Sequence, residues 1–387
     1  MTRRAVIVVL DGVGIGAARD AAAYGDVGSN TLGNLARQLG GMSLPNLERL
    51  GLGRIAPLKG VAPVESPTGA WGAMQPASAG KDSTTGHWEI AGIHLHQPFP
   101  TYPTGFPSAL LEEFSRRTGR GVIGNLVGSG TAMIDQFAEE QRRTGSWIVY
   151  TSADSVFQVA AHEEWIPLPE LFDACRVARS LLIPPHNVSR VIARPYVGDH
   201  GVFHRTPNRK DFSIEPPGRT LLDELESASV ARAGVGKVDD LFAGRGIASR
   251  HTANNAEGIE AIGRWLDTSG GFLLANLVDF DQQFGHRNDV EGFYGALREF
   301  DEALPGLLSR LRDDDLLAIT ADHGNDPTTP STDHARERVP LLVTGGSVRA
   351  QDLGERGTFS DLGATIAEWF GLEWRGRGVS FLQEIVH

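Results

Sequence analysis

Gly271-Phe-Leu-Leu-Ala-Asn-Leu-Val278 runs straight into Asp279-Phe-Asp281, and Asp315-Leu-Leu-Ala-Ile-Thr320 runs into Ala321-Asp322-His323-Gly324. Both are short, continuous apolar runs, the pattern of a strand covered on both faces of a parallel sheet. Between them Phe293, Leu297, Phe300, Leu304, Leu307, Leu308 and Leu311 recur at helical spacing. Pro305 lies inside that pattern and predicts a kink or a division of the helix. Strand, helix, strand in this order reads as a βαβ unit and a parallel sheet. Working outward, Ala5-Val-Ile-Val-Val-Leu10 is a third such run and ends at Asp11-Gly-Val-Gly14. Three apolar strands thus each release acidic or imidazole side chains just past their carboxyl ends. Open α/β sheets bind ligands at that edge, so Asp11, Asp281 and Asp322 can converge although they are far apart in sequence.

The middle of the chain has its own periodic elements. A strand is expected at Trp147–Thr151, a helix near Glu170–Leu182 and a strand at Val188–Ala193. Two proline-rich stretches flank them and read as linkers: Gln97-Pro-Phe-Pro-Thr-Tyr-Pro-Thr-Gly-Phe-Pro107, and Arg205-Thr-Pro-Asn-Arg-Lys210 through Glu215-Pro-Pro-Gly218. The expected organisation is an α/β core with a mainly parallel sheet sandwiched by helices, residues 1–98 and 216–387. A smaller α+β domain, residues 99–215, is inserted into it.

Composition bounds the function. The 387 residues suit two domains or one domain with a large insertion. With 41% hydrophobic residues the chain can bury a full core and is too apolar for disorder. Asp and Glu outnumber Lys and Arg by 48 to 36, and the net charge of −12 argues against nucleic-acid and anionic-membrane partners. No segment approaches the roughly eighteen apolar residues of a membrane span. The six-residue run after Arg3 and Arg4 is too short for a signal peptide. Cys175 is the single cysteine, so no intrachain disulfide forms, and a reducing, cytoplasmic setting fits. It shares helical spacing with Leu171, Phe172, Ala178, Leu181 and Leu182 and reads as a core thiol. Gly12-Val-Gly-Ile-Gly16 lacks the G-x-G-x-x-G spacing, so a dinucleotide site is rejected.

Three constellations carry chemistry. The first joins Asp281 and His286 to Asp322, His323 and His334. Carboxylates with imidazoles and no cysteine suit Mn²⁺, Zn²⁺ or Fe²⁺, and adding Asp11 provides enough ligands for two ions. The plainer alternative is that each is a cap or loop residue. The second is Gly80-Lys-Asp-Ser-Thr-Thr-Gly-His-Trp-Glu89, three hydroxyls in a glycine-flanked loop before a possible helix. A phosphate ester at a helix start meets backbone N–H groups and the positive dipole end; a simple N-cap explains the same residues. Neighbouring divalent metal would activate a hydroxyl there. The third is the basic content of the insertion, Arg190, Arg194, Arg205, Arg209 and Lys210, whose guanidinium forks suit phosphate. Asp154 follows a strand and could accept sugar hydroxyls or serve a turn.

These residues resemble the phosphopentomutases of the alkaline phosphatase superfamily. The resemblance runs from Val8–Gly16 through Gly80–Glu89, Tyr150–Ser155, Arg205–Arg209, Asn276–His286 and Thr320–Pro327 to Thr332-Asp-His334, and so covers essentially the whole chain. It implies an alkaline-phosphatase-like core with an inserted cap, and two Mn²⁺ ions. By family pattern one ion is held by Asp11, Asp322, His323 and the nucleophile oxygen, the other by Asp281, His286 and His334. It implies Ser83 as nucleophile, where relatives usually carry threonine, with Thr84 and Thr85 as weaker choices. Ser152, Asp154, Arg190, Arg205 and Lys237 would contact the sugar and distal phosphate. The implied reaction interconverts α-D-ribose 1-phosphate and ribose 5-phosphate, and the deoxyribose pair, through a phosphoserine and a sugar 1,5-bisphosphate, in nucleoside catabolism and salvage. A sugar bisphosphate such as glucose 1,6-bisphosphate would prime the enzyme, and the insertion would act as a lid. The partners implied are small pentose phosphates; the oligomeric state stays open, with a monomer admissible. Cofactor-independent phosphoglycerate mutases share the metal motifs but are typically longer and fit the Lys81–Glu89 and Arg205–Arg209 stretches poorly. A plain metal-dependent phosphatase needs no water-excluding lid, and a non-catalytic binding protein would not need all six ligands.

Overall fold

The computed structural model describes residues 3–152, 154–199 and 201–386. The chain divides into two compact units, residues 1–98 with 216–387, and residues 99–215.

The first unit is built on an eight-stranded sheet. Across it run Ser249–Arg250, Arg232–Val235, Gly271–Leu277, Arg4–Leu10, Asp315–Thr320, Val339–Thr344, Ala70–Met74 and Asp352–Arg356. All neighbours pair in parallel except at Val339–Thr344, which is antiparallel to both of its partners. The sheet is therefore mainly parallel, as the apolar runs predict. Its three central strands, 271–277, 4–10 and 315–320, are buried along their whole length. That burial is why they read as continuous rather than alternating apolar sequence. Helix Asn255–Thr268 leads from Ser249–Arg250 into strand 271–277, helix Val290–Leu308 joins 271–277 to 315–320, and the two helices pack on each other.

Pro305 does not divide the second of these helices, which runs unbroken from Val290 to Leu308. A proline at this position leaves the carbonyl four residues back without its helical donor. That carbonyl belongs to Asp301, and Asn46 Nδ2 donates to it at 2.9 Å. The Asp301 carboxylate in turn accepts the backbone N–H groups of Asn46 and Leu47, at the start of helix Pro45–Leu50.

The second unit carries a six-stranded sheet in the order Val122–Val127, Trp147–Thr151, Val156–His162, Arg190–Asp199 and Val202–Arg205, with Lys210–Ser213 also pairing 190–199. Alternation along its strands feeds two cores. Trp147 and Val149 join Phe106, Phe114, Phe157 and Cys175 on one side. Ile148 and Tyr150 join Met133, Ile134, Tyr196 and Phe203 on the other. Cys175 is fully buried, and burial pushes its thiol pKa up, so it is a core group. One linker assignment is corrected here. Arg205–Lys210 joins two strands that both pair antiparallel with 190–199. Thr206 and Asn208 are held by Glu163, so this proline-containing stretch belongs to the sheet's edge.

Candidate active site

Strand register sets the position of the first carboxylate. Leu10 lies opposite Leu277, and Val9 opposite Thr320, so three strands finish nearly level. Asp11 N still donates to Leu277 O at 3.2 Å. The chain then turns at Gly12, whose φ is +77°. A Cβ there would lie 3.0 Å from Asn325 Cβ and 3.4 Å from Asp281 Oδ1, so both conformation and space favour glycine. Gly12 N donates to Asp322 Oδ1 at 3.2 Å, and Asn325 N donates to Gly12 O at 2.7 Å. The two strand-end loops are thereby tied to each other. Asp281 sits in a one-turn π-helical segment, Phe280–Phe284, an element often found where a functional side chain must be re-aimed.

The hydroxyl-rich motif opens helix Ser83–Ile90. Asp82 caps it, accepting from Thr85 N at 3.0 Å and from Thr85 Oγ1 at 2.6 Å. The cap thus occupies the Thr85 hydroxyl, and Thr84 is buried. Ser83 Oγ is the hydroxyl that meets the strand ends: it is 3.1 Å from His323 Nε2 and 3.5 Å from Asp11 Oδ1. The helix lies directly on the Asp322 backbone, since a Cβ on Gly86 would come within 2.1 Å of Asp322 O.

The six carboxylate and imidazole residues form one contiguous cluster. His323 Nε2 is 3.3 Å from Asp11 Oδ1 and 3.6 Å from Asp322 Oδ2. Asp281 Oδ2 is 3.1 Å from His286 Nε2, and its Oδ1 is 3.5 Å from His334 Nε2. Two trios bring their donor atoms within 4.8 Å of one another: Asp281, His286 and His334, and Asp11, Asp281 and His323. Asp281 thus belongs to both, while Asp322 borders the second through His323.

The surroundings fit divalent metal. His286 Nδ1 donates to Thr332 O at 2.6 Å and His323 Nδ1 to Gly324 O at 3.0 Å, which turns each Nε2 toward carboxylate oxygen. A lone pair facing a carboxylate is repulsive unless a cation lies between them. Without metal that cation is a proton. Burial alone would lower the His323 pKa, but Asp322 and Asp11 hold it well above the ordinary imidazole value. Asp11 is pushed up by burial and by the Asp322 carboxylate, the sign of surplus buried negative charge. Asp322 Oδ2 is buried and accepts no aligned hydrogen bond, although His87 Nδ1 is 3.2 Å away. Metal ions would displace these protons and satisfy that oxygen.

Supporting residues appear that the sequence reading passed over. Asn276 Nδ2 donates to Asp11 Oδ2 at 2.9 Å, Asn325 Nδ2 to Asp281 Oδ1 at 2.7 Å, and His87 Nδ1 to Ser83 O at 2.9 Å. Asn276 had a readable signal, an amide inside an apolar strand. Lys237 Nζ donates to Gln282 Oε1 at 3.2 Å, beside the turn that carries Asp281.

Ser152, Asp154, Arg190 and Arg205 all lie in the 99–215 unit. There Asp211 is nearly buried, and burial would raise its pKa, yet Arg209, Arg190 and Arg194 hold it below the carboxylate norm. Three guanidinium groups thus surround one carboxylate, and Arg205 is exposed nearby in sequence.

The metalloenzyme superfamily model matches residues 3–374. A phosphopentomutase of Symbiobacterium thermophilum is 55% identical over 99% of this chain and 98% of its own. One of Carboxydothermus hydrogenoformans is 54% identical over 99% of each. Among solved structures, Leishmania mexicana phosphoglycerate mutase aligns with TM-score 0.52 at 13% identity, covering 98% of this chain and 97% of that one. The PH0037 protein from Pyrococcus horikoshii gives 0.52 at 16% identity, over 97% and 100%. At such identity the likeness is one of fold, the alkaline-phosphatase-like α/β core.

Proposed function

Because the chain belongs to the phosphopentomutase family of the metalloenzyme superfamily, we propose that it interconverts α-D-ribose 1-phosphate and D-ribose 5-phosphate, and the 2-deoxyribose pair, with Ser83 as the phosphate carrier. The chain is an isomerase of the mutase type. The observation that carries the assignment of the carrier is the placement of Ser83 Oγ, at the first position of a helix and 3.1 Å from His323 Nε2.

In this reading phosphoserine 83 is the resting form. Its phosphate would sit at the amino end of helix 83–90, whose positive dipole end stabilises the dianion. The Oγ–P bond breaks as a bond forms from phosphorus to the C1 oxygen of ribose 5-phosphate, giving ribose 1,5-bisphosphate and free Ser83. The bisphosphate turns over, and Ser83 Oγ takes the C5 phosphate, leaving ribose 1-phosphate. Asp11, Asp322 and His323 would hold one Mn²⁺ and Asp281, His286 and His334 the other; bound metal would offset charge on the attacking and leaving oxygens. Asn276, Asn325 and the Gly12 amide orient the carboxylates for that role.

The bisphosphate must not escape during its turn. We assign the 99–215 unit as the lid that retains it, with Ser152, Asp154, Arg190 and Arg205, and Lys237 of the core, binding the sugar and distal phosphate. A sugar bisphosphate such as glucose 1,6-bisphosphate would prime Ser83. The test is conversion of ribose 5-phosphate to ribose 1-phosphate with Mn²⁺ and that activator, beside a 3-phosphoglycerate control. Turnover of the pentose alone is expected. Turnover of phosphoglycerate alone would overturn the reading.

A further inference from the structure

Arg336 is an arginine only 3% exposed, and all five of its side-chain N–H donors are used. Nε and Nη2 reach Asp20 Oδ1 and Oδ2, each at 3.0 Å. Nη1 donates to Ser78 O at 2.7 Å and to Gly80 O, and Nη2 donates also to Pro76 O at 3.1 Å. One guanidinium therefore grips three alternate carbonyls of the segment that delivers Ser83. Its carbon lies 4.7 Å from the centre of the Tyr24 ring, and Tyr24 Oη accepts from Gly80 N at 3.1 Å. Gly80 is held through its carbonyl by Arg336 and through its amide by Tyr24.

The same side chain reaches the metal-ligand loop through the chain itself, since Arg336 follows His334 by two residues. Its backbone N donates to Asp26 Oδ2 at 2.8 Å, and that carboxylate also pairs with Lys81 Nζ at 3.0 Å. Lys81 is 3.3 Å from Asp333 Oδ2 as well. Thus the loop before Ser83 and the loop carrying His334 are joined twice, by Arg336 and by Lys81.

We propose that Arg336 and Tyr24 are positioning residues, a clamp that fixes Ser83 Oγ against the His323 and Asp11 side chains without touching the reacting atoms. Lysine cannot replace the arginine, because an ammonium is a point donor and cannot span three carbonyls and a carboxylate. A shift of about 1 Å in a reacting atom can cost about 100-fold in rate. The inference rests on Ser83 being the nucleophile, and the experiment separates the two.

Steady-state kinetics and Ser83 phosphorylation are measured for wild type, Ser83→Ala, Arg336→Lys, Arg336→Ala with and without free guanidinium, and Tyr24→Phe. Arg336→Lys is expected to lose about 100-fold in kcat with KM for ribose 5-phosphate within about twofold. Guanidinium is expected to recover at least about tenfold of the Arg336→Ala loss. Tyr24→Phe keeps the ring face and removes the acceptor, so it is expected to lower kcat severalfold at unchanged KM. Undiminished kcat in Arg336→Lys, equal changes in kcat and KM, or a folded Arg336→Ala that guanidinium does not rescue would overturn the clamp. If Arg336→Ala does not fold, wild-type kcat in Tyr24→Phe overturns it. Phosphate retained by Ser83→Ala would instead overturn the nucleophile assignment, and the clamp with it.

Discussion

Ser83 Oγ lies 3.1 Å from His323 Nε2, although the two residues are 240 positions apart in sequence. The same nitrogen is 3.3 Å from Asp11 Oδ1. A hydroxyl, an imidazole and a carboxylate from three separate elements therefore address one point. Burial and the neighbouring Asp322 carboxylate push the Asp11 carboxyl up, so a cation bound at that point would relieve the charge gathered there.

Metal removal is accordingly expected to abolish mutase activity, with Mn²⁺ restoring it better than Zn²⁺ or Mg²⁺. It is also expected to lower the thermal midpoint, because the carboxylates must then bind protons instead. Activity assays and thermal scans with and without chelator check both. Full activity in excess chelator would refute the metal assignment.

Asp154→Ala and Arg205→Ala are expected to damage mutase turnover by tenfold or more, at roughly 1–3 kcal/mol for each lost charged hydrogen bond. Background hydrolysis of the phosphoenzyme should change less, because water needs no sugar contacts. Equal losses in the two assays would show that these residues do not position the sugar.

Glu337, a buried carboxyl, supplies a pH dependence of its own. Its buried carboxyl accepts from Gly16 N, Thr31 N and Thr31 Oγ1, yet burial still pushes its pKa up to about 7. Between the unfolded value of 4.5 and about 7 the folded state holds a proton that the unfolded state has released. Stability from this group is therefore present below pH 4.5 and falls as pH rises through 7. The loss is on the order of 3 kcal/mol. Glu337→Gln should flatten that part of the urea-denaturation profile. A wild-type slope in the variant would exclude Glu337 as its source.

Arg4 and Asp315 sit at the paired starts of two central strands and are both fully buried. Arg4 Nε donates to Asp315 Oδ1 at 2.8 Å. Arg4→Met leaves the buried Asp315 carboxylate without its guanidinium, with the Arg312 N–H still donating to it at 2.6 Å, and is expected to cost about 3–5 kcal/mol. The double variant Arg4→Met/Asp315→Leu should recover most of it. Chemical denaturation of the three proteins decides, and no recovery would mean that packing, not charge, dominates.

Much of the core and of its candidate site was legible because a parallel sheet gathers its strand ends. Asp11, Asp281 and Asp322 each follow an apolar run, so their convergence needs only the fold class. The hydroxyl choice was harder: three neighbours are alike in sequence, and only the Asp82 cap separates Thr85 from Ser83. Contacts across long separations left no local trace. Asn46 replacing the donor lost at Pro305, 259 residues away, is one, and Arg336 gripping the 76–80 carbonyls is another. Proline content misled at Arg205–Lys210, since Pro207 lies in the short turn between two strands of one sheet, where proline is as welcome as in a linker.

The most direct test maps the phosphate after incubation with glucose 1,6-bisphosphate and Mn²⁺, by peptide mass spectrometry beside the mutase assay. Phosphate is expected on Ser83, lost together with at least about 10⁴-fold of the turnover in Ser83→Ala and retained with activity in Thr84→Ala. Phosphate on Thr84 or Thr85, or turnover surviving in Ser83→Ala, would contradict the account.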